Sequence, residues 1–159
     1  MANARVTEMR RPFLTEPRPL GSGGSDDATT AYILESRKDF EDLRQVASQL
    51  AGLLVLNAAG SKSAGPHHPM LEAANQLYHA ALENLHRTRV PLRAEQHHDY
   101  LLQAAASLRA SLAAARRGLK IDPVLIPLRA AYYSLQCASH ELPGFEMVAF
   151  AQGCCGGKS

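Results

Sequence analysis

Six of the seven histidines of the chain are concentrated between residues 67 and 98. Two Glu-x-x-His tetrads stand within this stretch, Glu83–His86 and Glu95–His98. A separation of three residues places a carboxylate and an imidazole on the same side of a helix, where both can reach one metal ion. His79 lies one turn before Glu83 and adds a third candidate ligand to the first tetrad. The stretch therefore supplies candidate ligands for a divalent metal such as zinc or iron: His79, Glu83, His86, Glu95 and His98, with His97 as a sixth.

These tetrads resemble the Glu-x-x-His pairs of ferritin-like di-metal bundles. In that family the two tetrads come from separate halves of the bundle and face its core. Here they are twelve residues apart across one turn, and His79, Glu83 and His86 lie roughly 130° from the apolar stripe of their helix. A mononuclear site fits this pattern better, because a hairpin at Arg89–Pro91 would bring His86 towards Glu95 or His98. The competing interpretation, which we prefer, is a solvated polar flank with no metal.

His97 differs from the other histidines because it shares the apolar seam of its helix with Leu101 and Ala104. This phase predicts a buried histidine that is hydrogen-bonded to a polar group on a neighbouring helix. Three tyrosines also fall on apolar stripes and are the candidate partners: Tyr32, Tyr78 and Tyr132. We expect these residues to belong to the core rather than to a catalytic site.

Other catalytic patterns are missing from the sequence. There is no Gly-x-x-x-x-Gly-Lys phosphate loop, no Gly-x-Ser-x-Gly elbow and no Cys-x-x-Cys pair. We therefore assign no catalytic and no organic cofactor-binding residues, and the balance favours a protein that is not an enzyme.

The composition favours helices throughout. The chain has 26 Ala and 22 Leu, against 14 Ile, Val and Thr together, and β-branched residues lose side-chain freedom in a helix. Apolar spacing predicts helices over about 29–58, 69–88, 92–119 and 122–142. Asp122 is predicted to cap the fourth helix, with Pro123 in its first turn. The stripe of this helix comprises Leu128, Ala131, Tyr132, Leu135, Ala138 and Leu142. Four amphipathic segments with short connections predict a single-domain, all-α, antiparallel four-helix bundle.

The two ends of the chain differ in composition from the bundle, which we place at residues 29–144. Residues 1–28 are rich in Pro, Gly and Ser, and are predicted to form a disordered arm. In the extension 145–159, the first residues are apolar enough to pack on the bundle, and the remainder is predicted to be flexible. Cys137 is expected to be a buried free thiol. For Cys154 and Cys155 we favour two incidental thiols, while metal capture, redox pairing and acylation remain open.

The net charge of +2 is too small to indicate a charge-driven partner. Residues 86–120 hold seven basic and two acidic side chains but a single Phe, Trp or Tyr residue, Tyr100. Base-stacking aromatics are therefore not interleaved with the basic residues, and nucleic acid is a disfavoured partner. No apolar run approaches the ~18 residues of a membrane span, and no apolar segment follows Arg10–Arg11 as in a secretory signal. The expected location is the cytoplasm.

We expect a non-enzymatic helical interaction module that acts as a homo-oligomer, an adaptor or a chaperone-like partner. The alanine-rich third helix would offer a smooth face to another helix. The alternative is a metal-binding or metal-dependent protein that uses the His/Glu cluster at the second hairpin. A third hypothesis is a small apolar ligand held between the helices.

Overall fold

The structure, a computed structural model, describes residues 23–147 and contains four α-helices. They are α1 (Gly23–Ala58), α2 (Pro69–Arg87), α3 (Glu95–Arg117) and α4 (Ile121–Glu141), with a 3-10 turn at Leu92–Ala94 before α3. Residues 23–147 include no strand. The chain is an all-α helical bundle, and the predicted fold class is confirmed.

Two contacts, one near the middle of α1 and one near its C-terminal end, establish that α1 runs antiparallel to α4. Near the end of α1, the Asn57 amide donates a hydrogen bond to the carbonyl of Leu119, just before α4 begins (2.8 Å). In the first half of α1, the ring of Phe40 packs edge-on against Phe145, which follows α4 (5.4 Å between centroids). None of the helices formed by residues 23–147 is long and apolar enough to span a bilayer.

The first helix begins earlier than the sequence indicated. Residues 23–28 were expected in the arm, but they belong to α1. Two contacts of Asp26 support this extension: its carboxylate accepts a hydrogen bond from Arg93 (2.7 Å), and its carbonyl accepts one from the Thr30 hydroxyl (2.9 Å). An acidic residue in the first turn also complements the positive end of the helix dipole. The rest of the predicted arm, residues 1–22, lies outside the described residues.

The start of the fourth helix differs from the prediction. Asp122 was expected to cap a helix that begins at Pro123, but α4 begins at Ile121 with Lys120 at its N-cap position. Pro123 is tolerated because first-turn N–H groups have no partner within a helix. Pro127 also lies inside the helix, where it removes one backbone hydrogen bond.

The predicted apolar stripes form most of the core. The apolar seam of α3 from Leu101 to Ala115 is buried, and so are Phe40, Leu43 and Leu50 of α1. Leu142, which was placed in the stripe of the fourth helix, is only partly buried against the core. Tyr132 was placed in the core by its spacing, but its side chain is 47% exposed. The inward face of α4 is instead completed by Val124 and Ser134, so the helix is rotated away from the orientation predicted for Tyr132.

The pair α3–α4 makes the most extensive contact between two helices. Small residues allow this approach: Ala104, Ala105 and Ala115 of α3 are fully buried. The buried Ser111 hydroxyl donates a hydrogen bond to the backbone carbonyl of Val124 (2.9 Å), directly joining the two helices. The alanine-rich face that the sequence offered to a partner helix is therefore largely used inside the bundle.

We predict that enlarging a buried alanine of α3 destabilises the bundle. Ala105→Leu inserts three carbons into a fully buried site, and overpacking of this kind costs about 1–3 kcal/mol. The neighbouring exposed residue supplies a matched control, Ala106→Leu. Urea unfolding of both variants measures the difference. Equal stability of the two variants would contradict the close packing described here.

Candidate functional site

The most unusual polar feature of the core is a hydrogen bond between α1 and α3. The Tyr32 hydroxyl lies 2.8 Å from Nδ1 of His97, and each residue is 1% exposed. The two rings meet edge to face, with centroids 5.6 Å apart. The phase of His97 predicted both its burial and a tyrosine partner, and both predictions are confirmed.

Aromatic groups enclose this pair on other sides. Phe145, which follows α4, packs its ring against His97 at 4.1 Å between centroids, and it also contacts Phe40. The ring of His98 lies edge-on to Tyr32 at 6.2 Å. The pair is thus closed by residues from the end of the described chain as well as by its own helices.

Burial keeps both members of the pair neutral. It raises the pKa of Tyr32 to about 12, with further increases from the negative charges of Asp39 and Asp99 and an opposing effect of a hydrogen bond with Ser36. Burial, followed by the nearby His98, lowers the pKa of His97 to about 4. A neutral imidazole carries one proton, so the tautomer of His97 decides which of Nδ1 and the Tyr32 hydroxyl donates in this hydrogen bond. Among residues 23–147 the buried Nε2 atom of His97 has no hydrogen-bond partner.

Asp39 is a second buried polar group on α1. It is 1% exposed, and its Oδ1 accepts a hydrogen bond from the Asn84 amide of α2 (3.1 Å). Within the described part of the chain, its Oδ2 has no hydrogen-bond partner. Burial raises the pKa of Asp39, while the Asn84 hydrogen bond opposes this change. These groups connect three helices, but at 1% exposure Tyr32, His97 and Asp39 do not offer their side chains to a substrate.

The structure separates most of the predicted metal ligands. His79 is exposed on α2 and its ring packs against that of Tyr78. Glu83 is engaged in an exposed ion pair with Arg87, and Glu95 is exposed in the first turn of α3. Between residues 23 and 147, no three His, Cys, Asp or Glu side chains are grouped in a way that could hold a metal ion.

Two of the predicted ligands do interact across the α2–α3 hairpin. The pKa of half-buried His98 is lowered by burial first and also by the positive charge of exposed His86, against an opposing effect of Asp99. The Nδ1 atom of His98 is buried and has no hydrogen-bond partner among the described residues. His86 is therefore near enough to influence the pKa of His98. The convergence of these two imidazoles on one metal ion stays a prediction, and so does metal binding.

Ion pairs reduce the charge of the basic segment 86–120. Arg87 pairs with Glu83 on the same helix. Arg93 pairs with Asp26 of α1, and Arg116 pairs with Glu72 of α2. Two of these pairs join α3 or its preceding turn to another helix. All three are exposed, so each contributes at most about 1 kcal/mol to stability.

An apolar recess of the surface lies between the second half of α1 and the middle of α4. This recess, the α1/α4 groove, has a volume of about 410 Å³. It is lined by Arg44, Ala47, Ser48 and Ala51 of α1 and by Leu128, Arg129, Tyr132, Tyr133 and Gln136 of α4. Small side chains form its α1 wall, whereas two tyrosines, 47% and 68% exposed, form much of its α4 wall.

This groove was not predicted from the sequence, although a signal was present. Ile126 and Tyr133 are seven residues apart and therefore share one face of α4, away from the core stripe. Both are large apolar side chains, and they are 69% and 68% exposed. A second apolar face on α4 was readable from this spacing. The recess itself was not, because it depends on the distance between α1 and α4.

We predict that acid destabilises the fold through His97. Its pKa is about 4 in the folded protein and about 6.5 in an unfolded chain. Between these values the unfolded state binds more protons, so the free energy of unfolding falls as the pH falls. The contribution of neutral His97 to the free energy of unfolding is fully present above about pH 6.5. About 3 kcal/mol of it is lost when the pH falls to near 4.

Urea unfolding of the wild type and of His97→Gln across this pH range gives the free energy of unfolding of each protein as a function of pH. The difference between the two proteins at each pH measures the effect of His97. The raised pKa of Asp39 acts in the opposite direction in both proteins, so it cancels in the difference. Exposed His140 supplies the control variant His140→Gln. A wild-type-minus-His97→Gln difference that is constant with pH would contradict the burial of a neutral imidazole.

The metal hypothesis predicts that zinc binding depends on the imidazoles of His86 and His98. Native mass spectrometry of untagged protein with added zinc would detect a stoichiometric adduct in the wild type. The adduct should be absent from the His86→Ala/His98→Ala double variant and retained in His67→Ala/His140→Ala. Unchanged stoichiometry in the first double variant would reject these ligands.

Comparison with known proteins identifies no relative of this chain. No family model, no curated protein and no solved structure matches the chain. The surfaces of the chain itself are therefore the basis for a functional proposal.

Proposed function

We propose that this protein is a non-enzymatic interaction module that receives an α-helix of a partner protein in the α1/α4 groove. The observation that carries the proposal is the groove itself, an apolar recess between two antiparallel helices with two exposed tyrosines on one wall. Bundles dock additional helices by placing side-chain ridges of one helix in the groove between two others.

The length of the apolar surface supports a helical occupant. From Arg44 to Ala51 the groove extends for about 11 Å, or two helical turns. Val55, one turn beyond Ala51 on the same face of α1, is 67% exposed and continues the surface. A small ligand would be confined to the recess, whereas a helix of about three turns would also cover Val55.

The tyrosines supply the kind of contact on which helix docking depends. Aromatic side chains combine a large apolar area with a polar tip, and they are enriched among the residues that dominate binding energy at interfaces. Tyr132 and Tyr133 retain much of their surface in the isolated chain, so this area is available for burial by a partner.

The buried polar groups play no direct part in this function. Tyr32, His97 and Asp39 are sealed from solvent, and their role is to fix how α1, α2 and α3 pack. This leaves α1 and α4 to present the groove.

Photo-crosslinking can test the proposal before the partner is identified. A photoreactive amino acid is placed in the full-length chain at Ser48, which is exposed within the groove, or at Ala110, which is exposed on α3. We expect irradiation in cells to yield one discrete protein adduct from position 48 and none from position 110.

A second variant makes the result specific. Ala51→Arg introduces bulk and charge at an exposed position of the groove, and should abolish the adduct while leaving the thermal unfolding midpoint unchanged. No adduct from position 48, an equal yield from both positions, or an adduct that survives Ala51→Arg would reject the proposed function.

A further inference from the structure

The charges that flank the α1/α4 groove have one predominant sign. Arg44 and Arg129 line it, and among the described residues no acidic side chain does so. The guanidinium of Arg44 pairs with Glu41 on α1, while Arg129 has no ion pair with any residue in 23–147. Arg37, two turns before Arg44, adds a further cation on the same face of α1.

The two cations of the lining lie at opposite ends of the groove. Arg44 is at its N-terminal end on α1, and Arg129 is near its N-terminal end on α4. Because the two helices are antiparallel, these arginines are separated by about 10 Å along the groove, or two turns. A helix in the groove would meet Arg44 on the flank that faces α1 and Arg129 on the flank that faces α4, so one acidic residue on each flank, about two turns apart, would place a carboxylate near each arginine.

The same groove on a second copy of the chain does not supply this complement. It carries the same two arginines, so face-to-face pairing would bring like charges together on a desolvated surface, which is unfavourable. The homo-oligomer expected from the sequence is thus disfavoured at this surface.

The two terminal segments that the structure does not describe also fail to complement the charge of the groove. Residues 1–22 contain four arginines and two glutamates. Residues 148–159 contain one lysine and no acidic residue. Both segments are net basic, so neither complements a groove that is flanked by arginines.

We infer that the α1/α4 groove receives an amphipathic helix of a separate protein, whose apolar stripe is bordered by acidic residues. This inference rests on the proposed function and specifies the partner. The apolar stripe packs between Ala47, Ala51 and the two tyrosines, while the acidic border pairs with Arg44 and Arg129. The arginines select a partner whose bordering residues are negatively charged, and the apolar contact supplies most of the affinity.

Two designed peptides test the inference with the full-length protein. Both are helices of about 15 residues with the same Leu and Ala stripe. The bordering positions are Glu in one peptide and Lys in the other. Fluorescence anisotropy measures the affinity of each for the wild type at low and high salt. We expect the Glu peptide to bind about tenfold more tightly at low salt, and we expect this ratio to fall at high salt because surface charges are then screened.

Charge reversal on the protein assigns the preference to the groove. Arg129→Glu should reduce the ratio between the two peptides at least about fivefold, consistent with the contribution of one exposed ion pair. The matched control is Arg117→Glu, an exposed arginine at the end of α3 outside the groove, which should leave the ratio unchanged. Circular dichroism confirms that both variants are folded.

The outcomes separate this inference from the proposed function. Equal affinity for both peptides, preference for the Lys peptide, binding of neither peptide, or an equal effect of Arg117→Glu would each overturn the acidic partner. The Ser48 adduct would still support the interaction module in those cases. An adduct with twice the mass of the chain would overturn the separate partner and identify a second copy as the occupant.

Discussion

The close approach of α3 and α4 is the constraint on which the rest of the bundle depends. Fully buried alanines on α3 allow it, and the bond from Ser111 to the carbonyl of Val124 fixes it. By contrast, α4 makes much less contact with α1 than with α3. The α1/α4 groove is the space that this asymmetry leaves. Small residues in one interface thus determine that another interface stays open.

Apolar spacing was sufficient to predict four helices, most of the core and the pairing of His97 with Tyr32. These features depend on one helix at a time, or on two residues that both face the core. Tyr132 was misplaced because it lies at the edge of its stripe, where a small rotation of α4 decides between core and surface. Asp122 was misread as a cap because Pro123 is acceptable both at the first and at the third position of a helix.

The metal prediction illustrates the same limit at the level of side chains. Spacing places His79, Glu83 and His86 along one side of α2, and it does so whether or not a ligand is present. That side faces outwards, as its offset from the apolar stripe indicated, and Glu83 there meets Arg87 instead of a third ligand. Of the expected ligands on the other side of the hairpin, His98 has a pKa that is influenced by His86.

Phe145 gives the bundle a dependence on the order in which the chain is made. All four helices are complete at Glu141, yet the ring that covers His97 and contacts Phe40 is four residues further along. During synthesis from the N-terminus, the helices can therefore associate before this end of the core is closed. Until Phe145 emerges, its ring contacts with His97 and Phe40 cannot form. Closure by a residue beyond the last helix links the integrity of the core to completion of the chain past α4.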